Sequence, residues 1–150
     1  EICKLYKNIF SLNIEIARFY NVYGPNQNLD EVDGNVIGIW LAKVKNGSPL
    51  PIIGKGNQRR DFIHVFDIVS GLIKIAFSNQ KHIDAWELGT GVNYSINELF
   101  NMFKERFNHK SVYLPDQKGN PEFTLRQNDD MLLRLEWDPK DRLRDYIKNI

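Results

Sequence analysis

Arg60 is the side chain with the most chemistry to offer. Its planar guanidinium can grip two phosphate oxygens at once, and it follows a Gly56-Asn57-Gln58 turn that permits close approach. Arg59, its neighbour on the same strand, should point the opposite way, into solvent. The ordinary alternative for Arg60 is a surface ion pair with Asp61 or Asp67. Asn21 sits at a strand end with one acceptor and two donors to present. Asn35 opens a helix, where anions are favoured. A turn residue and a plain N-cap would explain the same two asparagines. His64, alone in an apolar strand, reads as a hydrogen-bonded structural residue. Cys3 and the three histidines lack metal-ligand spacing, so no metal site is expected.

The elements that must position these residues alternate. Ile2, Leu5, Tyr6, Ile9 and Phe10 recur at helical spacing, but no Ser, Thr, Asp or Asn precedes them as a cap. An uncapped start is what a cut through a longer chain would leave. Ile14, Ile16 and Arg18 alternate as in a strand that Gly24-Pro25 ends. The polar stretch 26–33 reads as a surface loop. Val36, Ile37, Trp40, Leu41 and Val44 predict a helix closed near Gly47. Residues 50–65 read as strand, Gly-rich turn and strand. Asp67 is the expected cap of the next helix, with Ile68, Leu72, Ile75 and Ala76 on one face. A short strand around Trp86–Leu88 leads to the capping box Ser95-Ile96-Asn97-Glu98 and another helix. A strand at 111–115, a helix near 129–135 and a last helix from about Leu143 complete an α/β chain with a partly parallel sheet.

Composition narrows the partners. Of the 150 residues, 42% are hydrophobic, which excludes a disordered chain. Twenty basic residues offset nineteen acidic ones, so a nucleic-acid footprint is absent. No apolar run approaches the ~20 residues of a membrane span. With one cysteine and no signal peptide opening the chain, a soluble cytoplasmic protein is expected.

Three stretches together, Ala17-Arg18-Phe19-Tyr20-Asn21-Val22-Tyr23-Gly24-Pro25, Arg60-Asp61-Phe62-Ile63-His64-Val65 and Glu87-Leu88-Gly89-Thr90-Gly91, resemble the C-terminal half of an extended short-chain dehydrogenase. The family is that of the NAD-dependent epimerases and dehydratases acting on nucleotide sugars, and the UDP-glucose 4-epimerases are its most similar members. The resemblance implies a two-part enzyme with NAD or NADP in an N-terminal Rossmann half and a Tyr-x-x-x-Lys catalytic pair. This chain contains neither the G-x-x-G-x-x-G fingerprint nor that pair, so no catalytic residue is assigned and tight NAD binding is not expected. The implied division is residues 1–24 as the tail of the Rossmann half and 25–150 mainly as the substrate lobe.

By the same resemblance, Arg60 binds the diphosphate, and Asn21 and Asn35 contact phosphate or sugar. Ile53 and Phe62 pack the base, Gln117 and Asn120 stand at the nucleotide end, and the Phe19-Tyr20 backbone lies against the nicotinamide. The implied partners are a nucleoside-diphosphate sugar, a missing N-terminal half and a second copy of the chain. A stand-alone nucleotide-sugar-binding module or a non-catalytic dimerising remnant are the alternatives. Departures occur at Gln117-Lys118-Gly119-Asn120, where an Arg-x-Gly-acid motif is usual, and at Arg126-Gln127, which replaces Ala-Asp. Phe66-Asp67 replaces a double aspartate, and Leu135-Glu136-Trp137 replaces Leu-Gly-Trp. With the other half absent, the apolar faces of residues 1–24 and of the Trp86–Leu88 strand should be left uncovered or covered by a second copy.

Overall fold

The computed structural model describes residues 1–29 and 34–150, so the loop reading over residues 30–33 lies outside it. The elements in chain order are α1 (Ile2–Phe10), β1 (Ala17–Phe19), β2 (Asn21–Tyr23), α2 (Val36–Lys45), β3 (Leu50–Ile53), β4 (Arg59–His64) and α3 (Val65–Phe77), then β5 (Trp86–Leu88), β6 (Asn93–Ser95), α4 (Ile96–Phe107), β7 (Ser111–Leu114), α5 (Asp130–Leu135) and α6 (Leu143–Asn149). The single strand expected before Gly24 is two strands, because the chain changes sheets at Tyr20. β1 pairs in parallel with β5, while β2 pairs in parallel with β4. β6, which the sequence reading passed over, runs antiparallel to β4. β3 does not fold back on β4; it pairs in parallel with β7.

β4 divides two cores. Phe62 joins Tyr23, Ile37, Trp40, Leu50, Leu99 and Phe103 in one, and Ile63 joins Ile68, Trp86, Leu88, Met131 and Trp137 in the other. Strand alternation explains the split, since successive side chains leave opposite faces. α1 contributes no buried residue, and Ile2, Leu5, Tyr6, Ile9 and Phe10 are exposed. α3 buries Ile68 and Ile75, but Leu72 and Ala76 stay open, and Phe66, Val69, Ile73 and Phe77 form an exposed apolar stripe. Apolar surface is therefore uncovered on α1 and on the outer stripe of α3, whereas the β5 strand, expected to share that exposure, is buried, because Trp86 and Leu88 pack with Ile63, Ile68, Met131 and Trp137.

Local chemistry sets the helix ends. Ser95 accepts from the Glu98 N–H while the Glu98 carboxylate accepts from the Ser95 N–H, closing the expected capping box. The expected Asp67 cap is corrected. His64 caps α3, its Nδ1 accepting from the Phe66 N–H, while Asp67 is buried and holds both its oxygens to Arg142 at 3.0 and 3.1 Å. His64 is thus structural, as expected. At the end of α5, Glu136 takes the left-handed conformation (φ 50°) that a glycine would adopt without steric cost.

Two outcomes follow from these ends. Glu136→Gly should stabilise the fold by about 1 kcal/mol, because the left-handed backbone costs a Cβ-bearing residue about that much; an unchanged or lower urea midpoint would contradict the reading. Burial first, then the Arg142 charge, holds His64 below the ordinary histidine pKa. A depressed histidine favours the neutral form, so its stabilisation is full above the unfolded value of about 6.5 and is lost as pH falls through it. Between pH 7.5 and 5.5, the chain should lose more stability than His64→Asn, which keeps a capping acceptor that does not titrate.

Candidate functional site

The site is assembled around a carboxylate with no exposed surface. Asp61 Oδ1 accepts from the Thr90 N–H at 2.9 Å and the Thr90 hydroxyl at 2.8 Å. Its Oδ2 accepts from the N–H groups of Gly91 and Arg126, both at 3.1 Å. This explains why Gly89-Thr90-Gly91 accompanies Arg60-Asp61 in the sequence. A Cβ on Gly89 would lie 2.6 Å from Asp61 Oδ2, and Gly91 has φ +79°. A second buried carboxylate, Glu87, accepts from the Tyr20 hydroxyl at 2.9 Å and the Gln127 N–H at 2.6 Å. Arg126-Gln127 therefore serves through its backbone, pinning the returning segment to two buried acids. Tyr20, pushed up to about 12 by burial and then by Glu87, keeps its proton as a donor.

That returning segment runs beside β4. Arg59 N–H donates to Glu122 O and Thr124 N–H to Arg59 O, both at 2.9 Å. The arrangement brings Asn120 and Pro121 over Arg60. One Arg60 nitrogen, Nη1, donates to Arg59 O and Pro121 O at 2.9 and 2.8 Å, and Nη2 donates to Asn120 Oδ1. Three of its five N–H groups are used among the described residues, which leaves two for a ligand. Neither expected acidic partner is taken: Asp61 serves the Thr90 turn, and Asp67 serves Arg142. Burial lowers the guanidinium pKa, but an arginine keeps its charge.

Arg60 faces a cavity of about 500 Å³, a size that suits a small ligand. Asn21, Asn35, Ile53 and Asn120 line it too, so five of the expected binding residues share one wall system. Asn21 donates to Asp61 O at 2.9 Å and Thr124 Oγ1 at 3.1 Å. Asn35 caps α2, accepting from the Gly38 N–H at 3.0 Å, and still reaches the cavity. Its two readings, cap and binding residue, hold together. A second cavity of about 530 Å³ shares Asn21 and Asn35 and extends past Tyr20 and Gly24.

Other expected positions fall elsewhere. Phe62 shares Arg60's face of β4 but fills the core and lines no wall of the cavity. Gln117 is exposed, and its N–H donates to the Asp116 carboxylate. Phe19 is exposed on β1. Arg59 is not simply solvated: it donates to Asn93 twice at 2.8 Å and pairs with Glu98 at 3.0 Å, on the face opposite Arg60. Sequence reasoning missed Lys43, which the helical stripe of α2 carries into the cavity with Asn35, Ile39 and Trp40. The stripe signal was present, since 35, 39 and 43 are spaced by four.

The sequence profile of the NAD dependent epimerase/dehydratase family matches residues 1–89, more than half of the chain. The chain belongs to that family. It is 32% identical, over its whole length, to a Methanocaldococcus jannaschii protein named provisionally as a UDP-glucose 4-epimerase, of which it covers 48%. UDP-glucuronic acid decarboxylase 3 of Arabidopsis thaliana is 30% identical over 95% of this chain and 41% of its own. Among solved structures, a UDP-glucose 4-epimerase of Thermotoga maritima with UDP-glucose superimposes on 97% of this chain and 47% of its own, at a TM-score of 0.85 and 26% identity. The chain thus spans about half the length of the relatives it matches, and its α/β fold is that of extended short-chain dehydrogenases.

Asp61→Asn tests the frame of the site. An amide has one acceptor oxygen where the carboxylate has two, and its NH2 would face N–H donors. The expected loss is about 2–4 kcal/mol of stability, the scale for leaving buried groups unpaired. A urea midpoint equal to that of the unaltered chain would contradict the bonding described.

Proposed function

We propose that this chain is the nucleotide-sugar-binding portion of an NAD-dependent sugar epimerase or dehydratase of the UDP-glucose 4-epimerase kind. The observation that carries the reading is the cavity itself: Arg60, with two N–H groups unused among the described residues, lines it together with Asn21, Asn35 and Asn120 and with the apolar Ile53, Pro51 and Leu114. A nucleoside-diphosphate sugar has that distribution, with about two negative charges in its middle that need donors when desolvated, and a flat base that needs apolar walls.

Bound NAD would supply the hydride acceptor. The chain's own contribution there is the Phe19-Tyr20 backbone at the carboxyl end of parallel β1, where α/β folds hold ligands, with Tyr20 lining the adjoining cavity. The proton-abstracting tyrosine and the cofactor's phosphate turn belong, in this reading, to an N-terminal Rossmann half. Residues 1–24 are the tail of that half, and the uncovered apolar faces of α1 and α3 support its docking there. Without it, the chain positions the sugar nucleotide but has no nicotinamide to reduce, so no turnover is expected. Robust NAD-dependent 4-epimerisation by the purified chain would contradict this reading.

Arg60→Ala should weaken UDP-glucose binding by about 2–4 kcal/mol, as for one partner of a desolvated charged pair. Lys at the position should restore only part, keeping charge but losing the two-pronged grip. Arg59→Ala should instead lower stability and leave affinity unchanged. Calorimetric titration decides, and equal affinity of Arg60→Ala and the unaltered chain removes Arg60 from the site.

A further inference from the structure

We infer that Thr124 is a positioning residue of the binding site: its hydroxyl oxygen fixes the carboxamide of Asn21 so that the amide oxygen, not the NH2, is turned to the cavity. The inference rests on the proposed nucleotide-sugar reading and adds to it the group that orients one of its binding residues.

Thr124 stands where the returning segment runs along β4. The two are joined there as neighbouring strands: Arg59 N–H donates to Glu122 O, Thr124 N–H donates to Arg59 O, and Arg59 is bridged in parallel to Phe123. Two residues on, the Asp61 N–H donates to a side chain instead, at 3.3 Å from Thr124 Oγ1. The same oxygen accepts from Asn21 Nδ2 at 3.1 Å. A hydroxyl oxygen has two lone pairs to offer, and each of them meets an N–H.

Asn21 is held from two directions. Its Nδ2 donates to Asp61 O at 2.9 Å as well as to Thr124, so both hydrogens of the NH2 are turned to the protein. The reverse orientation would set the amide oxygen against Asp61 O, a carbonyl that can only accept. Asn21 lines both cavities. The atom it has left for them is Oδ1, which accepts no hydrogen bond among the described residues. An amide oxygen receives a hydroxyl and repels a phosphate oxygen. Asn21 is therefore fitted to a hydroxyl of the ligand, while Arg60 serves the negative charge. Without the Thr124 oxygen, one hydrogen bond instead of two would hold the amide in this orientation.

The test is calorimetric titration with UDP-glucose and with UDP. It compares the unaltered chain, Thr124→Val, Thr124→Ser, Asn21→Ala and the double variant of Thr124→Val with Asn21→Ala, and circular dichroism checks that each is folded. Thr124→Val should weaken UDP-glucose binding by about fivefold, the scale of one neutral hydrogen bond. UDP, which lacks the glucose hydroxyls, should lose less than about twofold. Thr124→Ser keeps the oxygen and should match the unaltered chain. In the Asn21→Ala background, Thr124→Val should have no further effect, because no amide remains to be oriented. Equal losses for the two ligands, or an undiminished effect of Thr124→Val beside Asn21→Ala, would mean that Thr124 supports the fold alone; the nucleotide site would stand. Side-chain NMR of the unaltered chain gives a readout that needs no variant. Both Asn21 NH2 hydrogens should exchange slowly with solvent, and rapid exchange of either overturns the inference. If the unaltered chain binds neither ligand, the proposed function falls together with this inference.

Discussion

The Asp61 carboxylate is the interaction on which the rest of the structure depends. A charged group with no exposed surface is costly unless donors surround it, and Asp61 has four: two from Thr90 and one each from Gly91 and Arg126. Those donors come from the turn after β5 and from the segment returning at 124–126, elements far apart in the sequence. One side chain on β4 thus ties the β1–β5 ladder and the returning segment to the central strand. The same segment carries Asn120 and Pro121 to the guanidinium of the preceding residue, Arg60. The carboxylate that organises the frame and the cation proposed to bind the ligand are adjacent in sequence and opposite in direction.

This adjacency follows from β4 as a shared wall. Its odd-numbered positions face one core and its even-numbered positions the other. Arg60 and Phe62 share a face, but only Arg60 is near enough to the strand's entrance to meet the cavity; Phe62 is packed among Trp40, Leu50 and Phe103. On the other face, Arg59 clamps Asn93 and Glu98, Asp61 holds the Thr90 turn, and Ile63 enters the second core. Two neighbouring arginines therefore have different work. Arg59 holds β6 and the start of α4 in place, and Arg60 remains partly available to a ligand.

Much of this was legible in the residues. The stripe Val36–Val44, the Ser95–Glu98 box and the helices near Asp130 and Leu143 are local patterns, and local patterns survive folding. Arg60, Asn21 and Asn35 stood out because their types and positions at a turn, a strand end and a helix start limit what they can do. What escaped the sequence was non-local. The chain's change of sheet at Tyr20 depends on which strands lie beside β1 and β2. The cap of α3 passed to His64 because Arg142, from the far end of the chain, claims Asp67. Arg59 looked solvated because β6 was not recognised. Lys43 was unread because a lysine on an amphipathic helix usually belongs to the solvated face, and only β3 and β7 show that this turn borders a cavity.

The central claim is that a nucleoside-diphosphate sugar occupies the cavity beside Arg60. The most direct measurement is side-chain NMR of the chain titrated with UDP-glucose, following the Arg60 Nε–H and the Asn21, Asn35 and Asn120 amide signals. The account predicts that these four shift together and saturate along one curve. Signals that stay fixed there while those around His64 and Tyr146 move, in the separate cavity of about 530 Å³ against α6, would place the ligand elsewhere and contradict it.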